Sequence, residues 1–315
     1  MNLLSQFDSV TSGAAVVDTA PSMTNVKVLV NDAIHQLSLT TDHSQAYFLY
    51  LPKTIKSNTR IIVSIHGISR KALSHIHHFK RLAKRHNVIL VAPIFSKERF
   101  PDYQRLGRDD RGLRADFVLN DIIAEVSKLT GVSSNLFYLF GYSGGGQFAH
   151  RYALVHPERV AGLAVGAAGW YTYPNSARRY PHGTKLSPKL SNVNFLLDPF
   201  LKIPVSVFVG EWDNERDMAL NQSERIDRQQ GLTRLERAER WINALRLAAT
   251  AKQFNTAYHF EILANAGHSF TACVKYGNLA HRVFDKLLGA AVQAGESSKE
   301  IMGDKVHFLN HSTNR

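Results

Sequence analysis

Short, continuously apolar runs separated by stretches of helical periodicity constrain this chain more than any other feature. The runs are "AYFLYL" (Ala46–Leu51, closed by Pro52), "IIVSIHG" (Ile61–Gly67), "VILVAP" (Val88–Pro93), "LFYLF" (Leu136–Phe140), "GLAVG" (Gly162–Gly166), "VSVFVG" (Val205–Gly210) and "YHFEIL" (Tyr258–Leu263). The inner ones lack the in–out alternation of a half-exposed strand and are read as strands covered on both faces. Helical patterns fill the gaps. In "LRADFVLNDIIAEVSKLTG", Phe117, Ile122, Val126 and Leu129 recur at helical spacing and Gly131 supplies a stop. "KALSHIHHFKRLAKRH", the stretch after Ser143, an Arg-rich stretch read as one long helix, and "CVKYGNLAHRVFDKLLG" complete the set. Strands separated by helices imply an α/β domain with a mostly parallel central sheet, right-handed crossovers and helices on both faces. In such sheets function collects at the loops beyond the strands' C-terminal ends.

The 315 residues, 44% hydrophobic and 20% charged, suit one sizeable core. The domain is expected over 27–295, with a poorly patterned lead-in at 1–26 and a flexible tail at 296–315. The single cysteine, Cys273, rules out an intramolecular disulfide framework and reads as a small buried hydrophobe. The N-terminal stretch lacks a basic region followed by an apolar one, and no apolar run is long enough to cross a bilayer. A reducing, cytoplasmic setting is the expectation.

The formal charge of +12 raises nucleic acid, anionic lipid or an acidic substrate as partners. Much of it is interleaved with acids. In "SERIDRQQGLTRLERAERWINALRLAA", Glu224 with Arg228 and Glu236 with Arg240 stand four apart, the spacing of pairs on a solvated helical face. No zinc-finger spacing, RNA-binding signature or zipper is present, so neither a nucleic-acid nor a membrane partner is expected. His75, His77 and His78 would diverge around a helix, so no metal site is expected there. No dinucleotide fingerprint or Walker loop appears, and no cofactor is expected.

One segment carries chemistry. "LFGYSGGGQFAHRY" (Leu139–Tyr152) sets Gly141-Tyr142-Ser143-Gly144-Gly145, a G-x-S-x-G pattern, between a strand and a helix. A serine on so sharp a turn is lifted clear of the sheet, and the residues two before and two after it must be small. The competing reading is a tight turn in which Ser143 merely caps the helix. A serine hydroxyl needs a base oriented by a carboxylate, and in this kind of sheet the chain order is Ser, then acid, then His. "VGEWDNERD" places Asp213 just after one strand, with Asp217 as the alternative acid. "ANAGHSF" places His268 just after the next. The Gly144 N–H and the Ile68 N–H, from "SIHGISR", are candidates for an oxyanion hole. His66 is assigned to that loop and to the substrate-binding set, with a hydrogen-bonded core histidine as the other reading.

These residues carry a resemblance. "YFLYLP" ahead of "IHG", "GYSGGGQFAHRYALVHPERV", "GEWD" and "AGHSF" resemble the α/β-hydrolase superfamily of serine esterases, in particular the polyhydroxybutyrate depolymerase-like and feruloyl esterase-like group. The resemblance spans about Ala46 to Leu288. It implies the α/β-hydrolase fold, a Ser143–Asp213–His268 triad and hydrolysis of carboxylic esters, small or oligomeric, through an acyl-enzyme. Secreted polymer-degrading members carry export signals and disulfides, and this sequence shows neither. The fold also implies a cap-like insertion near 169–200, where Trp170, Tyr171 and Tyr173 either form an apolar or aryl slot rimmed by Arg178 and Arg179 or belong to an ordinary surface loop with the aromatics packed back on the sheet; Tyr142 joins the substrate-binding candidates. Arg105, Arg108, Arg111 and Arg114 either guide a carboxylate-bearing substrate or form a solvated face paired with Asp109 and Asp110. The same triad residues serve a peptidase, an acyltransferase or a thioesterase, and a non-catalytic binding protein on this scaffold is the alternative from outside enzymology.

Overall fold

Eight strands form one sheet in the order β1-β2-β4-β3-β5-β6-β7-β8 in a computed structural model that describes residues 29–289. The lead-in expected at 1–26 and the tail expected at 296–315 lie outside the described residues. The strands are β1 (Ala33–Ser38), β2 (Ala46–Leu51), β3 (Ile61–Ile65), β4 (Ile89–Pro93), β5 (Phe137–Tyr142), β6 (Val160–Gly166), β7 (Val205–Gly210) and β8 (Tyr258–Leu263). From β4 through β3 to β8 all pairings are parallel, while β1 and β2 run antiparallel at one edge. β3, β4, β5 and β7 are buried at every position, which explains their unbroken apolar runs. β1 was not expected. As an edge hairpin partner with the sequence "AIHQLS" and no fully buried residue, it carries too little apolar pattern to stand out.

Helices α1 (Ala72–His86), α2 (Ala115–Thr130), α3 (Gly144–Val155), α4 (Leu197–Phe200), α5 (Glu224–Gln230), α6 (Arg234–Ala251), α7 (Phe270–Lys275) and α8 (279–289) cover both faces. On one face α2, α3 and α6 contribute Ile122, Phe148, Tyr152, Trp241 and Leu245 to the larger core. On the other, α1 and α8 contribute Ile76, Phe79, Val283 and Phe284 to the smaller one. Each such side chain contributes about 1.5–3 kcal/mol by leaving water. The core face of α2 is Leu119, Ile122, Ile123 and Val126. Phe117 and Leu129, read as part of that face, are exposed, and the Arg114 guanidinium lies over the Phe117 ring.

The Arg-rich stretch is two helices rather than one. Gly231 adopts φ 105°, which an L side chain rarely tolerates, and Thr233 then caps α6 by accepting from the Glu236 N–H. Glu224 and Arg228 do pair at 3.6 Å on the surface. Glu236 instead accepts from the Leu232 N–H, and Arg234 and Arg237 of the same helix are buried, so α6 carries inward-facing cations beside its solvated face. Among the described residues no helix is long and apolar enough to cross a membrane.

The sharpest steric demand lies where α3 leaves β5. A Cβ on Gly145 would collide with the Ile65 and His66 carbonyls, and one on Gly141 would collide with the Gly145 carbonyl. Gly145→Ala is expected to cost about 2–3 kcal/mol, measured as a lower urea midpoint at unchanged slope. Gly67→Ala meets only ordinary contacts, 3.4 Å to the Tyr142 carbonyl and 3.5 Å to the Ser143 Cβ, and should be near neutral.

Candidate active site

Ser143 follows β5 with φ 53° and ψ −114°, a strained conformation for a residue with a side chain. It is held there from both sides. Its N–H donates to the Gly166 carbonyl at 2.7 Å, and its carbonyl accepts from the Gln147 N–H at 3.0 Å in the first turn of α3. The hydroxyl makes no cap contact with α3. It lies 3.0 Å from His268 Nε2 instead.

His268 and Asp213 sit on the loops that follow β8 and β7. Those loops are tied together: the Glu211 N–H donates to the Leu263 carbonyl at 2.9 Å, and the Trp212 N–H to the Ala266 carbonyl at 2.9 Å. The tie holds Asp213 Oδ2 at 2.7 Å from His268 Nδ1. With Nδ1 donating its proton to the carboxylate, Nε2 is left to accept from the serine hydroxyl. The Asp213 side chain is 1% exposed, and its second oxygen, Oδ1, accepts from Arg234 Nη1 at 3.1 Å.

Arg234 is the residue that sequence reasoning missed. It also grips Asp217 with two bonds, of 2.7 and 2.8 Å. Burial opposes its charge, but Asp217 and Asp213 outweigh that and raise its pKa above the ordinary value. The same guanidinium pulls Asp217 down to about 2. Asp217 therefore braces the arginine and does not touch the imidazole. A sequence signal existed in hindsight: Arg234 and Arg237 share a helix face with the buried Ala238, Trp241 and Leu245.

The loop after β3 passes over the serine. A Cβ on Gly144 would meet Ile68 Cγ2 at 3.0 Å and the Tyr103 hydroxyl at 2.6 Å. No hydrogen bond among the described residues uses the N–H of Ile68 or of Gly144. Two depressions flank the hydroxyl. One, about 290 Å³, lies between Ile68, Lys71, Tyr142, His268 and Phe270. The other, about 330 Å³, lies between Gln104, Arg105, Gln147, Trp170 and Met218.

Two of the residues assigned to substrate binding are not available for it. Tyr171 is fully buried and stacked on Trp241, 4.6 Å between ring centroids, because the chain after β6 turns inward. His66 is fully buried too. Its Nε2 accepts from the Phe95 N–H at 3.1 Å, its carbonyl accepts from the Tyr103 hydroxyl at 3.0 Å, and burial pushes its pKa down to about 4. It is a neutral strut between the loops after β3 and β4. Tyr142 lines the first depression, with its hydroxyl 3.3 Å from the buried Cys273 sulfur. Trp170 lines the second, and Tyr173 is half-buried against the larger core. Of the four arginines after Phe100, Arg108 and Arg111 pair with Asp102, and Arg114 with the buried Asp116, rather than with Asp109 and Asp110. Arg105 has no acidic partner among the described residues. His75 bonds Ser64 at 2.8 Å and His78 faces Thr271 at 3.3 Å, so they point to separate neighbours.

No protein-family model matches this sequence, and no curated protein matches it. Solved structures do. A poly(aspartic acid) hydrolase-1 from Sphingomonas sp. KT-1 is 26% identical with a TM-score of 0.64, over 75% of this chain and 93% of its own. A poly(3-hydroxybutyrate) depolymerase from Bordetella parapertussis is 22% identical with a TM-score of 0.64, over 80% and 89%. An S-formylglutathione hydrolase from Agrobacterium tumefaciens is 14% identical with a TM-score of 0.52, over 81% and 94%. The fold implied by the motifs around Ser143 is thus the fold of these neighbours, a depolymerase of the kind the sequence resembles among them. The chain has the α/β-hydrolase fold and stands structurally beside these hydrolases.

Proposed function

We propose that the protein is a serine hydrolase that cleaves carboxylic esters through an acyl-enzyme. The observation that carries this is the unbroken chain from the Ser143 hydroxyl to His268 at 3.0 Å and on to Asp213 at 2.7 Å. Three residues remote in sequence meet as a hydroxyl that gives up a proton, an imidazole that takes it and a carboxylate that holds the resulting imidazolium.

Ser143 Oγ attacks the acyl carbonyl carbon while its proton passes to His268 Nε2. Asp213 Oδ2 holds the imidazolium that forms. The carbonyl oxygen becomes an oxyanion that accepts from the Ile68 and Gly144 N–H groups, both of which have no other acceptor among the described residues. The α3 N-terminus adds its positive end to the same point. As the tetrahedral species collapses, the bond to the leaving alcohol breaks, and His268 returns the proton to that oxygen. Water then enters by the same path, gives its proton to His268 and releases the acid with Ser143 restored.

The exposed side chains of Ile68 and Met218 suit an apolar part of the substrate near the serine. A single free, buried thiol at Cys273 suits a reducing, cytoplasmic setting. A second reading, cleavage of an amide by the same groups, draws on the likeness to a protein described as a poly(aspartic acid) hydrolase. Matched ester and amide substrates with a common acyl group separate the two.

Ser143→Ala is expected to lower kcat on a 4-nitrophenyl ester by roughly 10⁴-fold or more and to abolish labelling by a fluorophosphonate probe. Full activity in that variant, or no adduct on the folded wild type, would sink the reading. Asp213→Asn is expected to lower kcat by about 10⁴-fold, and Asp217→Asn by far less. Arg234 acts through Asp213 as a positioning residue. Arg234→Gln should lower kcat by about tenfold with KM for a neutral ester nearly unchanged, and Arg234→Lys should restore part of it. A loss confined to thermal stability would assign Arg234 to the scaffold alone.

A further inference from the structure

The depression on the Trp170 side of Ser143 does not end at Trp170. It adjoins an outer cavity of about 350 Å³, and the two share Arg105, Trp170 and Asn221 in their walls. The outer cavity is lined by Arg105, Arg108, Arg179, Lys189 and Arg225, and no carboxylate lines either space. Of these five cations only Arg108 has an ion pair among the described residues, with Asp102.

Two features beneath the surface belong with this concentration of charge. The Arg105 and Arg151 guanidiniums lie 5.3 and 4.3 Å from the Trp170 ring centroid, so the indole holds one cation at the cavity wall and covers another. Arg151 is fully buried, yet its partners are all neutral: the Thr172 hydroxyl, the Gln104 carbonyl and the Gln147 side-chain oxygen. Its second terminal nitrogen has no partner, and burial draws its pKa down to about 9. His182, in the wall of the outer cavity, has a buried Nδ1 without a partner. Burial first, and then Arg225, Arg151, Arg105 and Arg178, hold its pKa near 4.

We propose that these two adjoining cavities form a subsite for the anionic portion of the substrate, so that the protein acts on esters carrying carboxylate or phosphate groups beside the acyl centre. The inference rests on the reading of Ser143 as the nucleophile and adds a substrate class to it. Like charges gathered without counter-charges repel, and an entering anion relieves that repulsion while it accepts from guanidinium forks shaped for two-oxygen groups. The depression on the far side of Ser143, walled by Tyr142 and Phe270 with Lys71 as its lone Lys or Arg, takes the less charged portion.

The test compares 4-nitrophenyl pentanoate with its glutarate analogue, in which a carboxylate replaces the terminal methyl. Calorimetric titration of tri-glutamate and of tripolyphosphate accompanies it. The wild type should favour the glutarate analogue in kcat/KM by roughly tenfold at low salt, with the preference shrinking as salt screens it. It should also bind at least one of the two anions, and which one binds distinguishes carboxylate from phosphate chemistry. Arg105→Gln, and separately the exposed Arg225→Gln, should each reduce the preference and the anion affinity severalfold. Lys128→Gln, the same charge change at the far end of α2, should leave both as they are. Equal rates on the two esters together with no binding of either anion would overturn the subsite and leave the nucleophile standing. If neither ester is hydrolysed, the nucleophile reading fails, and the titrations still decide the subsite.

Discussion

Everything at the candidate site depends on one backbone contact, the approach of Gly145 to the carbonyls of Ile65 and His66. Only a residue without a side chain lets α3 start so close to the ends of β3 and β5. That closeness brings the loop after β3 across the serine. It also leaves Ser143 in a conformation that costs about 1–3 kcal/mol. The surrounding structure can hold it because α3 is buried along nearly its whole length and its first turns pack on β5 and β6. A hydroxyl on a flexible loop would lose the orientation that makes a 3.0 Å contact with His268 useful.

The acid is fixed by a different kind of force. Asp213 is out of water, and both of its oxygens are committed, one to His268 and one to Arg234. Removing one partner from a buried charge pair typically costs about 3–5 kcal/mol, so Arg234 cannot be a neutral spectator. It shares its charge with Asp217, whose side chain is 40% exposed and therefore cheap to keep ionised. The arrangement gives the buried Arg234 guanidinium a carboxylate on each side, Asp213 within and Asp217 at the surface. Arg237 lies one turn on. It pairs with Asp227 and donates to the Gly169, Asn221 and Gly231 carbonyls, joining the chain after β6 to the segment ahead of α5.

The sheet, its helices and the convergence of Ser143, Asp213 and His268 were legible because each rests on a local pattern with a single geometric solution. A buried parallel strand has to be apolar throughout, and a G-x-S-x-G turn between strand and helix has one use for its small residues. What escaped was set by distant partners. β1 exists because β2 offers it an edge, and six mostly half-buried residues do not announce that. Tyr171 looked like a pocket aromatic from its neighbours in sequence, yet it is Trp241, seventy positions away, that takes it into the core. Arg234 and Arg237 lie in a stretch whose Glu224–Arg228 and Glu236–Arg240 spacings read as a solvated helical face. The break at Gly231, with Asp213 and Asp217 on the chain after β7 and Asp227 on α5, turns them inward.

The net charge of +12 was the least legible quantity, because a sum says nothing about where unpaired cations gather. Many of the basic side chains do find acids: Lys84, Arg99, Arg114, Arg216, Arg282 and Lys286 all have carboxylates within 4.0 Å. Among the described residues, four cations without an acidic partner, Arg105, Arg179, Lys189 and Arg225, gather in the cavity beside Trp170. In the proposed subsite, such cations would contact a substrate equally before and during bond breaking. Interactions that are the same in ground and transition states lower KM and leave kcat alone. The strand-end loops and the cap-like segment thus divide the work physically. The first can act only on the acyl centre, through groups fixed to within hydrogen-bond distance by the sheet. Under the subsite proposal, the second selects what is brought there, through charges that need no such precision.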